Sequence, residues 1–267
     1  MKQFWRWFFI VLIIVAVLAP LLVQVVWSFA FRWYFPDLLP SEWGLNAWRY
    51  VFSESSRVGE ALITSLSIAI IVSLLSIAVG LPAARALALH DFPGKGVVEW
   101  LLLIPIIVPS VVATMGIHLV FIRLRVADTY LGVVLIHLIP CIPYMILVMT
   151  SVFANYGTAL EDTARTLGAS AVRTFWYVTL PAIWPGLLVA TLFTFLISWS
   201  QYVTTLLIGG GRVITLPMVL FPFISGSNNA TAAAISLVFV APAILALIFT
   251  SRSLSKESSV MGGFGRM

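Results

Sequence analysis

Long apolar stretches alternate with short polar ones along the chain. Runs without Asp, Glu, Lys or Arg that could form a membrane-spanning helix of about 20 residues occupy residues 7–31, 61–84, 100–122, 129–153, 182–211 and 213–251. The last run is interrupted by two prolines, a glycine and two asparagines, so its helix is expected to start near Ala230. The pattern therefore predicts an all-α polytopic membrane protein with six transmembrane helices.

Composition supports the membrane assignment. Of 267 residues, 61% are hydrophobic and only 9% are charged, and a soluble core of this length could not bury so much apolar surface. A secretory signal is the alternative for the N-terminus, because Lys2 and Arg6 precede the first apolar run. That run is too long for a signal and has no clear small-x-small cleavage site before Pro20, so we expect a retained helix.

The positive charges agree with a topology in which both termini are cytoplasmic. Six spans place the termini on one side, and nine Lys or Arg residues then lie inside against six outside, in agreement with the positive-inside rule. The inside positions are 2, 6, 85, 95, 165, 173, 252, 256 and 266, and the outside positions are 32, 49, 57, 123, 125 and 212. The net charge of +5 therefore indicates topology rather than nucleic-acid binding.

Several kinds of chemistry lack the residues they need. The trimmed spans contain no Asp or Glu, and His118 and His137 are their only groups that titrate near neutral pH, so a proton-coupled carrier is disfavoured. For each histidine, a structural hydrogen bond or interfacial position and a contact with substrate both stay open. The three lysines form no P-loop, no Cys/His metal cluster occurs, and the single Cys141 excludes an intramolecular disulfide. Energy for uphill transport would have to come from a partner.

Small residues follow one face of two spans. In the second span the face contains Ser65, Ala69, Ser73, Ser76 and Gly80, and in the fifth it contains Gly186, Ala190, Thr194, Ser198 and Gln201. Such a face allows close helix packing. The fifth becomes more polar towards its outer end, so packing and the lining of a solute pathway both stay open there. The candidate pathway residues are Thr194, Ser198, Gln201 and Tyr202.

Prolines and glycines mark two further irregularities. Pro105 and Pro109 lie four residues apart in the third span and predict a kink or local unwinding. Three consecutive glycines at 209–211 predict a sharp turn.

The most polar long stretch in the middle of the chain reads "EDTARTLGASAVRTFWYVTLP". Just before and within it, Thr158 and Glu161 match a Thr-x-x-Glu capping box, which predicts a short helix from about Ala159 to Leu167. Gly168 then provides the left-handed residue that ends such a helix.

A second short helix is expected after this glycine. Ser170 can cap residues 171–179, and Leu180-Pro181 would close the segment before the fifth span. An amphipathic helix on the lipid surface is the alternative, and three consecutive aromatic residues favour it. Two acidic residues at one end and a fixed glycine break argue against it, so residues 155–181, here named the coupling loop, are interpreted as a cytoplasmic docking element.

The coupling loop resembles the EAA loop of binding-protein-dependent ABC importer permeases. That pattern is Glu-Ala-Ala, three residues, Gly, nine residues, and Ile-x-Leu-Pro. Here Asp162, Thr163 and Ala164 occupy the first three positions, Gly168 follows at the right distance, and Val178-Thr179-Leu180-Pro181 ends the match. Asp for Glu, Thr for Ala and Val for Ile are departures, whereas the spacing is complete. With the spans and "GGGRVITLP", the resemblance extends over residues 61–251.

The resemblance implies a type 1 ABC importer permease fold and a multi-pass protein of the bacterial inner membrane. It implies three partners: an ABC ATPase dimer that carries ATP and Mg, a second permease subunit, and an extracytoplasmic solute-binding protein. No cofactor is expected on this chain, which would be a transport subunit rather than an enzyme. The residues expected to couple it to the ATPase are Glu161, Asp162, Thr163, Ala164, Arg165, Leu167, Gly168, Leu180 and Pro181.

The same resemblance gives a domain layout and a substrate range. Residues 1–60 would form the first helix and an external loop, residues 61–251 the transmembrane domain, and residues 252–267 a cytoplasmic tail. The chain is most similar to spermidine/putrescine-type permeases, a subgroup close to iron(III), thiamine and sulfate importers. Gln201 stands where that subgroup often has an acidic residue, which weakens the case for a polyamine. A small polar solute is expected, and a stand-alone carrier or channel is the alternative function.

Overall fold

A computed structural model describes residues 2–34 and 36–264. The helices are α1 Lys2–Ser28, α2 Asn46–Val51, α3 Val58–Leu89, α4 Lys95–Ile107, α5 Ser110–Arg123, α6 Tyr130–Tyr156, α7 Ala159–Thr166, α8 Ala171–Thr174, α9 Leu180–Trp199, α10 Val203–Gly209, α11 Leu216–Ser225 and α12 Asn229–Phe264. Two strands, β1 Ala30–Arg32 and β2 Glu42–Trp43, form one short antiparallel pair. Apart from that pair, the all-α prediction is confirmed.

Five helical segments of the described chain are long and apolar enough to cross a membrane. They are α1, α3, α6, the stretch Ala171–Trp199 that includes α9, and the first part of α12. A sixth span results if α4 and α5 are counted together, although the pair is bent by 104°. The structure therefore has five to six candidate spans, and it agrees with the prediction of six if the bent pair forms one span.

The break between α4 and α5 is larger than the kink expected from Pro105 and Pro109. Pro105 lies within α4, whereas α4 ends at Ile107 and Val108 has an extended backbone with ψ of 130°. A proline disfavours the helical conformation of the residue before it, which is Val108 here. Pro109 therefore ends the helix, and the chain changes direction instead of bending slightly.

The fifth apolar run also contains two helices, which corrects the prediction of one helix over residues 182–211. Helix α9 ends at Trp199 and α10 begins at Val203. The Ser200 hydroxyl donates to the Ile197 carbonyl, and the Gln201 amide donates to the Ser198 carbonyl. Such local bonds compete with the regular helical pattern and end the helix at this point.

The last apolar run contains two helices. Residues 216–225 form α11, although their prolines predicted an irregular segment; Pro217 lies in its first turn, where its missing N–H is not needed. Helix α12 begins at Asn229, next to the predicted start at Ala230, and continues to Phe264, beyond the expected end near residue 251.

The chain divides into two compact units. The first contains residues 1–63 and 215–242. In it, the strand pair is supported by an ion pair between Arg32 and Glu42, whose Nη1 and Oε1 atoms are 2.8 Å apart. The ring of Tyr50 contacts that of Phe223 edge-on. Most of the apolar side chains of α1 are exposed, as expected for a helix in contact with lipid.

The second unit contains residues 64–214 and 243–267 and is built around α6 and α9. Its largest buried cluster consists of Ala84, Leu87, Met145, Ile146, Met149, Phe153, Ile183, Leu187 and Ala190. A Cβ atom on Gly80 would lie 2.6 Å from Cγ of Met145, and one on Gly186 would overlap Val152. Both glycines are needed for close helix packing, so the packing interpretation of the small-residue faces is confirmed at these positions.

Candidate functional site

The coupling loop follows the C-terminal end of α6 and leads directly into α9. Its first helix, α7, covers Ala159–Thr166, close to the predicted bounds. The capping box expected at its start is absent. Thr158 has φ of −114° and ψ of −11°, and its side chain accepts no hydrogen bond from the helix. The Glu161 side chain, the other half of the expected box, is bonded elsewhere.

Glu161 lies under the loop and bonds to two other segments. Its Oε1 and Oε2 atoms accept hydrogen bonds from Nη1 and Nη2 of Arg85, each at 2.6 Å. Oε1 also accepts a bond of 2.7 Å from the Thr179 hydroxyl. Glu161 is only 3% exposed. This two-point geometry is the strongest form of an Arg–carboxylate pair, so the carboxylate ties α7 to α3 and to the segment before α9.

The electrostatics of Glu161 follow from these bonds. The Arg85 guanidinium holds the pKa of the Glu161 carboxyl below its ordinary value; burial acts in the opposite direction, and the Thr179 hydroxyl lowers the pKa further. The Arg85 guanidinium also lies 5.9 Å from the ring centroid of Phe153 in the core of the unit. Glu161 is therefore ionised at neutral pH despite its burial.

This geometry corrects one expectation about the loop. Glu161 was expected, with Asp162, among the residues that couple this chain to an ATPase, but its carboxylate points inward and both its oxygens are bonded within this chain. Asp162 is exposed. Of the two acidic residues, only Asp162 is available to a partner.

The end of α7 confirms the prediction for Gly168. Its φ is +86°, in the left-handed region that favours glycine. The Gly168 amide donates to the Arg165 carbonyl, and the Ala169 amide donates to the Ala164 carbonyl. These two bonds form a Schellman motif, which satisfies the last carbonyls of the helix and turns the chain sharply.

The second half of the loop differs from the prediction. Ser170 caps α8 as expected, because its hydroxyl accepts from the Arg173 amide. The predicted stop at Leu180-Pro181 is wrong, since the backbone stays helical from α8 through a π-helical turn, Phe175–Thr179, into α9. A proline ring clashes with the carbonyl four residues earlier in a regular α-helix. The wider turn directly before Pro181 relieves this clash, as π-type turns do elsewhere.

The outer surface of the coupling loop combines apolar and charged side chains. Leu167 is 84% exposed and Leu160 is 56% exposed. Asp162, Thr163 and Arg165 are exposed between them, whereas Ala164 is half-buried. Exposed leucines on a short charged helix are typical of an interaction surface. Leu180 is half-buried and Pro181 is exposed, and both lie in the first turn of α9.

The four candidate pathway residues occupy two environments. Thr194 and Ser198 are buried in α9, and the Thr194 hydroxyl donates to the Ala190 carbonyl. Gln201 and Tyr202 are half-buried and lie in the break between α9 and α10. The Gln201 Nε2 atom is buried without a hydrogen-bond partner. The polar group without a partner therefore lies in the break between α9 and α10, and not on the face of α9 that contains Thr194 and Ser198.

Of the two roles left open for His137, the structure shows the structural hydrogen bond. It is 1% exposed and bonds through both ring nitrogens. Arg85 is the residue that sequence reasoning missed, because it was counted only as one of the inside charges. A lone arginine in the apolar stretch "PAARALAL" was the available signal, since a charge there needs a partner.

Comparison with known proteins assigns the family. A family model described as "Binding-protein-dependent transport system inner membrane component" matches residues 76–255. The chain belongs to this family. It is a permease subunit of binding-protein-dependent ABC importers, and a transport component that crosses the membrane several times.

Relatives of the permease include transport proteins for different solutes. It is 27% identical over 228 residues to the trehalose transport system permease protein SugB of Mycobacterium tuberculosis, and the aligned region covers 83% of each chain. It is 37% identical over 129 residues to the molybdate/tungstate transport system permease protein WtpB of Pyrococcus abyssi. The aligned region covers 48% of this chain and 51% of WtpB.

Solved structures confirm the fold. A chain of a bacterial ABC transporter involved in the import of the acidic polysaccharide alginate superposes with a TM-score of 0.70 at 17% identity, covering 94% of the permease and 95% of that chain. A chain of the inward-facing MetNI methionine ABC transporter gives 0.62 at 16% identity, covering 77% and 99%. The permease therefore has the fold of ABC importer permeases.

Proposed function

We propose that the coupling loop docks this permease on an ABC ATPase dimer, which binds ATP and Mg²⁺ and drives transport. The observation that carries the proposal is the contrast between the two faces of α7. On the inner face Glu161 is bonded to Arg85 and Thr179. On the outer face Leu167, Leu160 and Asp162 are exposed. A surface with exposed apolar and charged side chains, fixed on its inner side through Glu161, is suited to transmit a movement of the partner.

Membership of the family supports two further partners. A second permease subunit would complete the translocation pathway, and an extracytoplasmic solute-binding protein would deliver the solute. We place both termini and the coupling loop in the cytoplasm of a bacterial cell, with the spans in the inner membrane. Residues 61–251 then form the transmembrane domain, preceded by a first helix with an external loop and followed by a tail.

The experiment that tests docking uses the exposed leucine. Leu167→Asp is expected to reduce copurification of the ATPase with the permease and to abolish ATP-driven uptake, because a carboxylate would enter an apolar contact. Asp162→Arg is expected to have the same effect through charge. Leu124→Asp is the matched control, because Leu124 is also an exposed leucine but lies beyond the opposite end of α6. If Leu167→Asp and Leu124→Asp retain equal amounts of ATPase, the docking proposal is wrong.

We further propose that the solute is a small polar molecule and that an oxyanion fits better than a polyamine. The relative WtpB is named for molybdate and tungstate. The segments at the end of α6 opposite the coupling loop contain Arg123, Arg125 and Arg212 but one carboxylate, Asp128. The Asp128 amide donates to the Ile208 carbonyl, so these segments are in contact. A surplus of positive charge attracts anions and repels polyamines.

Uptake by the reconstituted importer separates the two classes of solute. With the ATPase and binding protein present, ATP-dependent uptake of tungstate is expected and uptake of spermidine is not. Uptake of spermidine alone would contradict the preference for an oxyanion and leave the docking proposal unaffected.

A further inference from the structure

A buried polar cluster connects α9 and α10, the two helices of the fifth apolar run, to α6. It consists of His137 on α6, Ser198 on α9 and Thr205 on α10. His137 Nδ1 is 2.9 Å from the Ser198 hydroxyl, and His137 Nε2 is 2.9 Å from the Thr205 hydroxyl. Each of the three residues is buried. One imidazole therefore contacts the residues on both sides of the break.

The direction of each bond in this cluster follows from a count of protons. The Thr205 hydroxyl donates its only proton to the Gln201 carbonyl at 2.9 Å. It must therefore accept from His137, which places a proton on Nε2. A neutral ring then accepts at Nδ1 from the Ser198 hydroxyl. The neutral form also fits the surroundings, because both ring nitrogens contact hydroxyl groups and neither contacts a carboxylate that would compensate a buried imidazolium.

This chain of bonds ends at the backbone of the break itself. His137 donates to Thr205, and Thr205 donates to the carbonyl of Gln201, the residue in the middle of the break. From the other side, Ser198 lies in the last turn of α9 and its carbonyl accepts from the Gln201 amide. Both backbone polar groups of Gln201 are therefore fixed, directly or through one hydroxyl, by residues bonded to His137.

We propose that His137 is a positioning residue that holds α9 and α10 in fixed register and thereby sets the places of Gln201 and Tyr202. The inference rests on the pathway role expected of these two residues. His137 makes no contact with solute in this assignment. It fixes the non-helical backbone that directly follows the span Ala171–Trp199, and non-helical backbone of this kind contacts solutes in other transporters.

The accessibility of position 201 measures this positioning without knowledge of the solute. Cys141 is the only cysteine, so Cys141→Ala with Gln201→Cys gives a chain with one reactive thiol. The side chain at 201 accepts a hydrogen bond from the Thr204 hydroxyl and is not part of the cluster, which uses only the backbone amide and carbonyl of residue 201. The probe is a membrane-impermeant methanethiosulfonate reagent, applied to the full chain in membranes, and the measurement is the rate of labelling.

Two substitutions at Thr205 form the decisive pair. Thr205→Val removes the hydroxyl at constant shape and leaves the imidazole N–H without an acceptor, so labelling is expected to become about tenfold faster. Thr205→Ser keeps the hydroxyl and is expected to label at the parent rate. His137→Phe is expected to accelerate labelling at least as much as Thr205→Val. Thr191→Val is the control, because the Thr191 hydroxyl bonds only within α9.

A second reporter separates local positioning from general loosening. Ala190→Cys lies in the buried core of α9 and is expected to label slowly in every variant. Equal rates at position 201 for Thr205→Val and Thr205→Ser, whether both slow or both fast, would overturn the proposal, as would parallel acceleration at position 190. The assay needs no ATPase, so its outcome is independent of whether the coupling loop docks as proposed.

Discussion

The ion pair under the coupling loop gives the most direct quantitative prediction. Arg85→Ala would leave the Glu161 carboxylate, 3% exposed, with Thr179 as its remaining hydrogen-bond donor. Removing one partner of a buried ion pair costs about 3–5 kcal/mol. The Arg85 side chain is 31% exposed, so water reaches its end of the pair, and we adopt the lower value of about 3 kcal/mol.

This loss is measurable as a change in thermal unfolding. At about 2–4 °C per kcal/mol for a chain of this size, the apparent Tm of the purified permease is expected to fall by about 6–12 °C. ATP-driven uptake by the assembled importer is expected to fall as well, because α7 would no longer be tied to α3. Arg85→Lys keeps the charge but cannot form both bonds, so an intermediate Tm is expected.

Two further variants decide whether the geometry is the cause. The exchange Arg85→Glu with Glu161→Arg restores opposite charges and is expected to recover part of the Tm. Arg165→Ala, which removes an exposed cation one turn along the same helix, is expected to change stability by less than about 0.5 kcal/mol. Equal Tm values for Arg85→Ala and Arg165→Ala would refute the reasoning, because Glu161 would then not depend on Arg85.

Three other predictions concern the same unit. Gly168→Ala is expected to destabilise the coupling loop by about 1 kcal/mol, because φ of Gly168 is +86°. Gly168→Pro is expected to abolish uptake, because a proline ring cannot adopt that φ, while the protein still accumulates in membranes. Gly80→Val is expected to lower the Tm by overpacking against Met145, and Met145→Ala in the same chain to recover part of the loss. The lowered pKa of Glu161 implies stabilisation that is complete above about pH 4.3 and lost as pH falls through the lower folded-state value. The Tm of the parent should therefore decrease when the pH is lowered below about 4. The Tm of Glu161→Gln should decrease less over the same pH range.

Features set by neighbouring residues were predictable from the sequence. The apolar runs located the spans, because a helix in lipid needs a minimum length of apolar residues. Gly168 and Ser170 marked a helix end and a helix start through local backbone chemistry. The spacing from Asp162 to Pro181 indicated the family, which the match over residues 76–255 then showed.

Features set by distant partners were not predictable in the same way. Glu161 had a local use as a capping residue and a distant one as the partner of Arg85, 76 residues away, and the distant bond prevails. A two-point bond to a charged guanidinium is stronger than a side-chain cap to a backbone amide. The break at Ser200 was also missed, because the rising polarity towards Gln201 and Tyr202 was interpreted as one face of a continuous helix.

The continuous helix from residue 171 to residue 199 has a mechanical consequence. Because the π-helical turn replaces the expected stop at Pro181, this stretch is a rod of 29 residues, about 43 Å long at 1.5 Å per residue. A tilt of about 5° at the coupling-loop end would displace its far end by roughly 4 Å, on the order of one side chain. That far end is Trp199, directly before the break. The helix therefore converts a small change of its angle at the coupling loop into a displacement of the residues next to the break.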